Sequence, residues 1–106
     1  MLDRATIQDT IDRLIRMAPA GSEVILFGSY ARGQADADSD LDFLVVEPRV
    51  SDRHVEMLRL RNGLRGARVG IDILVTSREV FDQWKETPNN ILHQAWKEGR
   101  VCREVG

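Results

Sequence analysis

A single cysteine, Cys102, leaves the chain without a partner for an internal disulfide and excludes a cysteine-based metal cluster. Nothing around it demands a reactive thiolate. Long hydrophobic runs are missing as well. No stretch approaches the ~18 apolar residues of a membrane span, and the opening MLDRATIQD does not read as a signal peptide. A cytoplasmic protein with no membrane partner is therefore expected. There is no excess of positive charge either. With 15 Lys and Arg against 17 Asp and Glu, the net charge of −2 lacks the basic balance of a dedicated nucleic-acid binder, so no direct nucleic-acid partner is expected. The only histidines, His54 and His93, fall on separate predicted helices without metal-ligand spacing. Repeats, low-complexity segments and linkers are absent too. Residues 1–106 read as one small domain, able to bury a core with little to spare.

The elements that are present alternate. Residues 3–17 have Ile7, Ile11, Leu14 and Ile15 at helical spacing behind a potential Asp3 N-cap, and the turn Pro19-Ala20-Gly21-Ser22 ends them. Val24 to Phe27 is an apolar strand, Ser29 to Gly33 a short helix and Gln34 to Ser39 a polar loop. Leu41 to Glu47 is a second strand, stopped by Pro48. Ser51 or Asp52 caps a helix running to Asn62, with Val55, Met57 and Leu58 facing inward. Gly63 and Gly66 release the chain to a third strand, Arg68 to Val75. Ser77 to Lys85 and Asn89 to Glu98 are helices, and Val101 to Val105 a short edge strand. The order αβαβαβα implies a small α/β sheet with flanking helices.

One stretch, FGSYARGQADADSDLDFLVV at residues 27–46, carries the chemistry. A strand runs into Gly28-Ser29, and ten residues on Asp40-Leu41-Asp42 opens the next strand. Residues i and i+2 of a strand share a face roughly 6.6 Å apart, so Asp40 and Asp42 present two carboxylates side by side. Asp is depleted in strands, and two like charges on one face repel unless a cation lies between them. Oxygen donors at this spacing suit Mg²⁺, which takes one or two carboxylates plus substrate phosphates. Gly28 lets the backbone approach a ligand closely, and Ser29 adds a hydroxyl and an N–H at a helix start. Asp72, alone inside the apolar run Val69 to Val75, is a third carboxylate.

Gly-Ser, ten residues and Asp-x-Asp resemble the defining motif of the DNA polymerase β-like nucleotidyltransferase superfamily, in particular its minimal nucleotidyltransferase domains. The resemblance covers most of the chain. It implies a small mixed, mostly antiparallel sheet with flanking helices, an α+β arrangement that the element order alone does not decide. It implies Asp40, Asp42 and Asp72 as catalytic and metal-binding residues, two Mg²⁺ ions and ATP as substrate. Gly28 and Ser29 would orient the β- and γ-phosphates, and Arg32, one turn on, could reach the same phosphates or remain a solvated charge. The implied partner is a HEPN-domain toxin carrying a tyrosine that receives AMP, which would make this chain an antitoxin. The alternative is an inactive antitoxin that neutralises its partner by binding alone.

Competing readings weigh less. An Asp pair can be turn chemistry, but that leaves Asp72 unexplained, and an Asp inside a hydrophobic strand is costly. Asp36, Asp38, Asp40, Asp42 and Glu47 fall at EF-hand loop positions, yet the required glycine is replaced by Leu41 and the flanks are strand-like. Asp36 and Asp38 then remain solvated loop residues. Trp84 and Trp96 read as core or partner-facing aromatics, and residues Phe81 to Trp96 as a docking region for a protein acceptor.

Overall fold

The structure, a computed structural model, describes residues 2–66 and 69–104. Its elements are α1 (Arg4–Met17), β1 (Glu23–Phe27), α2 (Ser29–Arg32), β2 (Leu41–Glu47), α3 (Arg53–Gly63), β3 (Ile71–Ser77), α4 (Arg78–Trp84), α5 (Ile91–Glu98) and β4 (Arg100–Glu104). The four strands form one sheet in the order β3-β2-β1-β4. β1 runs antiparallel to both β2 and β4, and β2 runs parallel to β3. The sheet is mixed and mostly antiparallel, as the motif resemblance implied. No helix among the described residues is long and apolar enough to cross a membrane.

Strand alternation gives the sheet two apolar faces. Val24, Leu26, Leu41, Phe43, Val45, Ile73 and Val75 pack under α1 and α3, against Ile11, Leu14, Leu60 and Leu64. Ile25, Phe27, Leu44 and Val46 pack under α4 and α5, against Phe81 and Ala95. Each large side chain buried here contributes about 1.5–3 kcal/mol relative to exposure. Helix ends are capped by their own sequence. Asp3 accepts from the Thr6 N–H, Asp52 from the His54 and Val55 N–H groups, Ser77 from Val80 and Asn90 from His93. Arg13 ties α1 to the end of α3 by donating to the carbonyls of Gly63 and Arg65, at 3.2 Å each.

Several expectations are corrected. Val55 and Leu58 of α3 point outward and are 63% and 58% exposed, while Leu60 and Leu64 fill the core. The apolar positions of this segment serve two faces, and the buried stripe follows 57, 60 and 64 rather than 55 and 58. β3 starts at Ile71 and extends to Ser77, whose hydroxyl then caps α4. α5 starts at Ile91 because Asn89 takes the left-handed conformation (φ 68°) and Asn90 is the cap. The final strand begins at Arg100, and its expected last residue, Val105, lies outside the described residues.

The far end of β2 carries a buried acid. Glu47 is 2% exposed, and its Oε2 has no hydrogen-bond partner. Desolvation, reinforced by the Glu56 carboxylate, pushes its carboxyl up to about 8. With its carboxyl at about 8, Glu47 holds its proton at neutral pH beside the Glu56 carboxylate. Arg59 grips Glu56 at 2.6 and 3.0 Å and reaches the Met17 carbonyl at 3.0 Å, so one network joins β2, α3 and the end of α1.

Candidate active site

Three strand ends meet where β1 leaves the sheet and β2 and β3 enter it. Antiparallel pairing sets Phe27 opposite Asp42, and parallel pairing sets Asp42 opposite Asp72. Asp42 shares the pleat direction of Leu44 and Val46, and Asp72 that of Leu74, so both carboxylates emerge on the α4/α5 face. Asp40 precedes Asp42 by two residues, just before the strand. Asp40 and Asp72 are exposed and Asp42 is half-buried. The three residues singled out in the sequence are thus brought to one end of one face.

The local backbone is shaped around these carboxylates. Gly28 is buried with φ 77°, a conformation that disfavours any side chain, and a Cβ there would run into the Asp42 carboxylate. Gly70 plays the same part for Asp40, whose carboxylate occupies the space a Cβ would need. The Leu41 N–H donates to the Gly70 carbonyl at 2.9 Å, extending the β2–β3 ladder to the edge of the site. Ser29 opens α2 directly after Gly28, and Gly33 ends that helix in the left-handed conformation. In the loop before Asp40, Asp36 accepts from the Asp38 N–H and the Ser39 hydroxyl, a turn that feeds the chain into β2. Asp36 and Asp38 are exposed, as expected.

Negative charge here is under-compensated. Burial raises the Asp42 pKa above the ordinary carboxylate value; the charges of Asp72 and Asp40 and a shared hydrogen bond with Asp72 raise it further, and only Arg32 opposes them. Arg32 itself donates to Gln34 and forms an ion pair with Glu98 at 3.1 Å, so α5 anchors it beside the site. Arg61 of α3 stands 3.9 Å from Asp72, with both side chains well exposed to solvent. That distance and exposure make the pair weak.

Among the described residues, no three acidic, histidine or cysteine side chains close into a ready-made metal cage. The donor set nevertheless fits a hard divalent cation. Asp42 carries raised proton affinity, from burial first and then from the neighbouring charges of Asp72 and Asp40, and Mg²⁺ characteristically completes its shell with waters and phosphate oxygens. Gly70, Glu98 and Arg61 were not singled out in the sequence. Gly70 left a signal, a glycine two residues before the isolated Asp72. Glu98 and Arg61 left none, because their roles depend on how α5 and α3 pack.

A family model described as nucleotidyltransferase domain matches residues 7–101. Among solved structures, a protein of Sulfolobus solfataricus described as a nucleotidyltransferase superposes with a TM-score of 0.60 at 21% identity, over 92% of this chain and 76% of its own. A toxin–antitoxin structure with AMP-PNP superposes with a TM-score of 0.64 at 18% identity, over 92% of this chain and 73% of its own. At these identities the likeness establishes the fold. No curated protein matches the chain.

Proposed function

The chain belongs to the nucleotidyltransferase domain family, and from that premise we propose that it transfers AMP from ATP to a tyrosine hydroxyl of a HEPN-domain toxin, acting as its antitoxin. The observation that carries this proposal is the β2–β3 register, which sets Asp42 beside Asp72 on one face with Gly28 against the Asp42 carboxylate. The toxin–antitoxin neighbour with a bound ATP analogue supports the choice of nucleotide and partner class.

Asp40 and Asp42 would hold Mg²⁺ with the triphosphate, and Asp72 a second ion. Bound there, the ions would offset the carboxylate charge and make the acceptor hydroxyl more acidic. The chain's own residues do the positioning. Gly28, lacking a side chain, lets the triphosphate approach the backbone, and the Ser29 hydroxyl and N–H donate to its oxygens. Arg32 adds a positive charge on the same side. Asp72 faces the acceptor and takes up the phenolic proton as the phenol oxygen bonds to the α-phosphorus. The α–β bridging P–O bond breaks, and pyrophosphate leaves.

The test is mass spectrometry of the partner after incubation with this protein, Mg²⁺ and ATP. Addition of one AMP to a tyrosine is the expected result. Tight binding of the partner with no added mass would instead establish neutralisation by binding alone.

A further inference from the structure

β3 lies at one edge of the sheet. Among the described residues, no backbone hydrogen bond joins it to a strand or loop beyond β2 and its own flanks. The Gly70 carbonyl accepts from Leu41 of β2, and alternate residues of a strand turn their peptide groups the same way. The N–H and C=O groups of Ile71, Ile73 and Val75 therefore point away from the sheet. Seven residues long, with Asp72 as its one charge and no proline, this strand lacks the features that usually blunt an exposed edge.

A row of positive charge runs beside that edge. His54, Leu58, Arg61 and Arg65 recur at helical spacing on α3 and the turn that ends it, and all are exposed. Two shallow clefts, of about 360 and 210 Å³, lie between this row and the strand and share Arg61 and Ile73. Arg53 stands at the far end, beside Val75 and Thr76. Among the described residues, Arg53 and Arg65 form no ion pair and Arg61 only the loose one with Asp72, while Glu56 of α3 is held by Arg59.

We propose that the β3 edge docks an extended, acidic segment of another protein, which adds a strand to the sheet. Its backbone bonds Ile71, Ile73 and Val75, and its carboxylates on the α3 side meet Arg61, Arg65 and Arg53. Charge selects this occupant. A second copy of the chain, pairing β3 with β3 about a two-fold axis, would bring two rows of arginines side by side on one face. A nucleic-acid strand has no peptide groups for the ladder, and the row offers no Phe, Tyr or Trp for bases to stack on. An added strand lies about 5 Å from β3, so one of its residues stands beside Asp72 on the carboxylate face. That last contact gains its meaning from the proposed AMP transfer, whereas the docking does not depend on it.

The test titrates the full chain with a nine-residue peptide alternating Glu and Thr, a matched peptide with Lys for Glu, and an N-methylated form of the Glu peptide. Backbone amides and arginine side chains are followed by NMR. Expected with the Glu peptide alone are saturable shifts and slowed hydrogen exchange at Ile71, Ile73 and Val75, with shifts at Arg61 and Arg65. Arg61→Gln combined with Arg65→Gln, at exposed positions, should weaken that peptide about 3- to 20-fold, the size of two solvent-exposed ion pairs. Lys at both positions should restore most of the binding. Silence of the β3 amides, or equal binding of the Lys or N-methylated peptide, overturns the proposal. So does a response confined to Phe81 to Trp96, on the α4/α5 face. Shifts at Arg61 and Arg65 with a ten-residue oligouridylate but not with the Glu peptide would make the row a nucleic-acid surface. Concentration-dependent protection of the β3 amides without peptide would give the edge to a second copy, and either result overturns the proposal too. Nucleotide binding is read separately, from Mg-ATP shifts at Gly28 and Ser29, so the two proposals can fail independently.

Discussion

At one end of β2, Asp42 lies half-buried among Asp40 and Asp72; at the other end, on the opposite face, Glu47 is buried beside Glu56. In both places burial and a neighbouring carboxylate raise a carboxyl pKa. The surroundings then diverge. Glu47 keeps its proton beside the Glu56 carboxylate, and Arg59 neutralises Glu56 from within the fold. Around Asp42 the nearest cation, Arg32, is already committed to Glu98, and Arg61 stands 3.9 Å from Asp72 in solvent. One acidic cluster is completed by the protein itself, whereas the other is left for something outside it. A structural carboxyl and a reactive one are distinguished here by what neutralises them, not by burial alone.

The comparison breaks most visibly at Asp42. Asp42→Asn should lower AMP transfer by at least about a thousandfold, ~4 kcal/mol of transition-state stabilisation. Without metal its stability should be unchanged or higher, because one of three repelling carboxylates has been neutralised. Partner modification followed by mass spectrometry, with a metal-free thermal melt beside it, tests both halves. A strongly destabilised but active variant would mean that Asp42 is structural in the manner of Glu47.

Asp72→Asn separates the roles within the site. Transfer should fall by two to three orders of magnitude, roughly what a lost general base costs, while Mg-ATP still binds within a few-fold of the parent by calorimetry. Loss of all Mg-ATP binding would move Asp72 to the nucleotide's metal.

A smaller effect concerns the cation alone. At about ten times its Kd, Mg²⁺ or Mn²⁺ should stabilise the parent by ~1.4 kcal/mol, a rise in Tm of roughly 5–10 °C. The same titration should leave Asp42→Asn nearly unmoved. Equal shifts in the two proteins would place the cation elsewhere.

The mildest test addresses Glu47. Its folded carboxyl, at about 8, lies above the ordinary 4.5. The folded state therefore retains a proton that the unfolded chain releases. That contribution is complete below 4.5 and is lost as the pH rises through about 8. Denaturant melts of the metal-free parent should show stability declining across this window, and Glu47→Gln should flatten the decline. A variant that keeps the parent's slope would assign the pH dependence to the Asp42 cluster, whose raised pKa acts in the same direction.

The legible parts of this molecule were those written locally. Short continuous apolar runs in β1 and β2 marked the strands, Asp3, Asp52 and Ser77 marked helix starts, and Gly28-Ser29 with Asp40 and Asp42 marked the site. Asp72 was legible because a charge in an apolar strand has few inexpensive explanations. Long-range features were not. The outward turn of Val55 and Leu58 depends on which stripe of α3 meets α1 and the sheet. The buried acid of Glu47 depends on Glu56 and Arg59 arriving from another element. Strand direction came from the motif resemblance rather than from periodicity, since a buried strand reads alike in parallel and antiparallel surroundings.

Parallel pairing of β2 and β3 ties residues thirty positions apart, Asp42 and Asp72, to a common face through seven successive residue pairs. Tolerance to changes in chain length should therefore divide sharply along the sequence. Residues added just beyond Gly66, in the connection between α3 and β3, leave the pairing of the strand untouched. One residue added between Asp72 and Ile73 advances everything before it by half a pleat repeat and turns Asp72 towards the α1/α3 face, among Phe43, Leu64 and Ile73. A charge would then lie in the core and the site would lose a carboxylate in the same event. Length variation in this protein is thus expected to collect in its loops and to be excluded from the first residues of β3, even though that strand lies at the sheet edge.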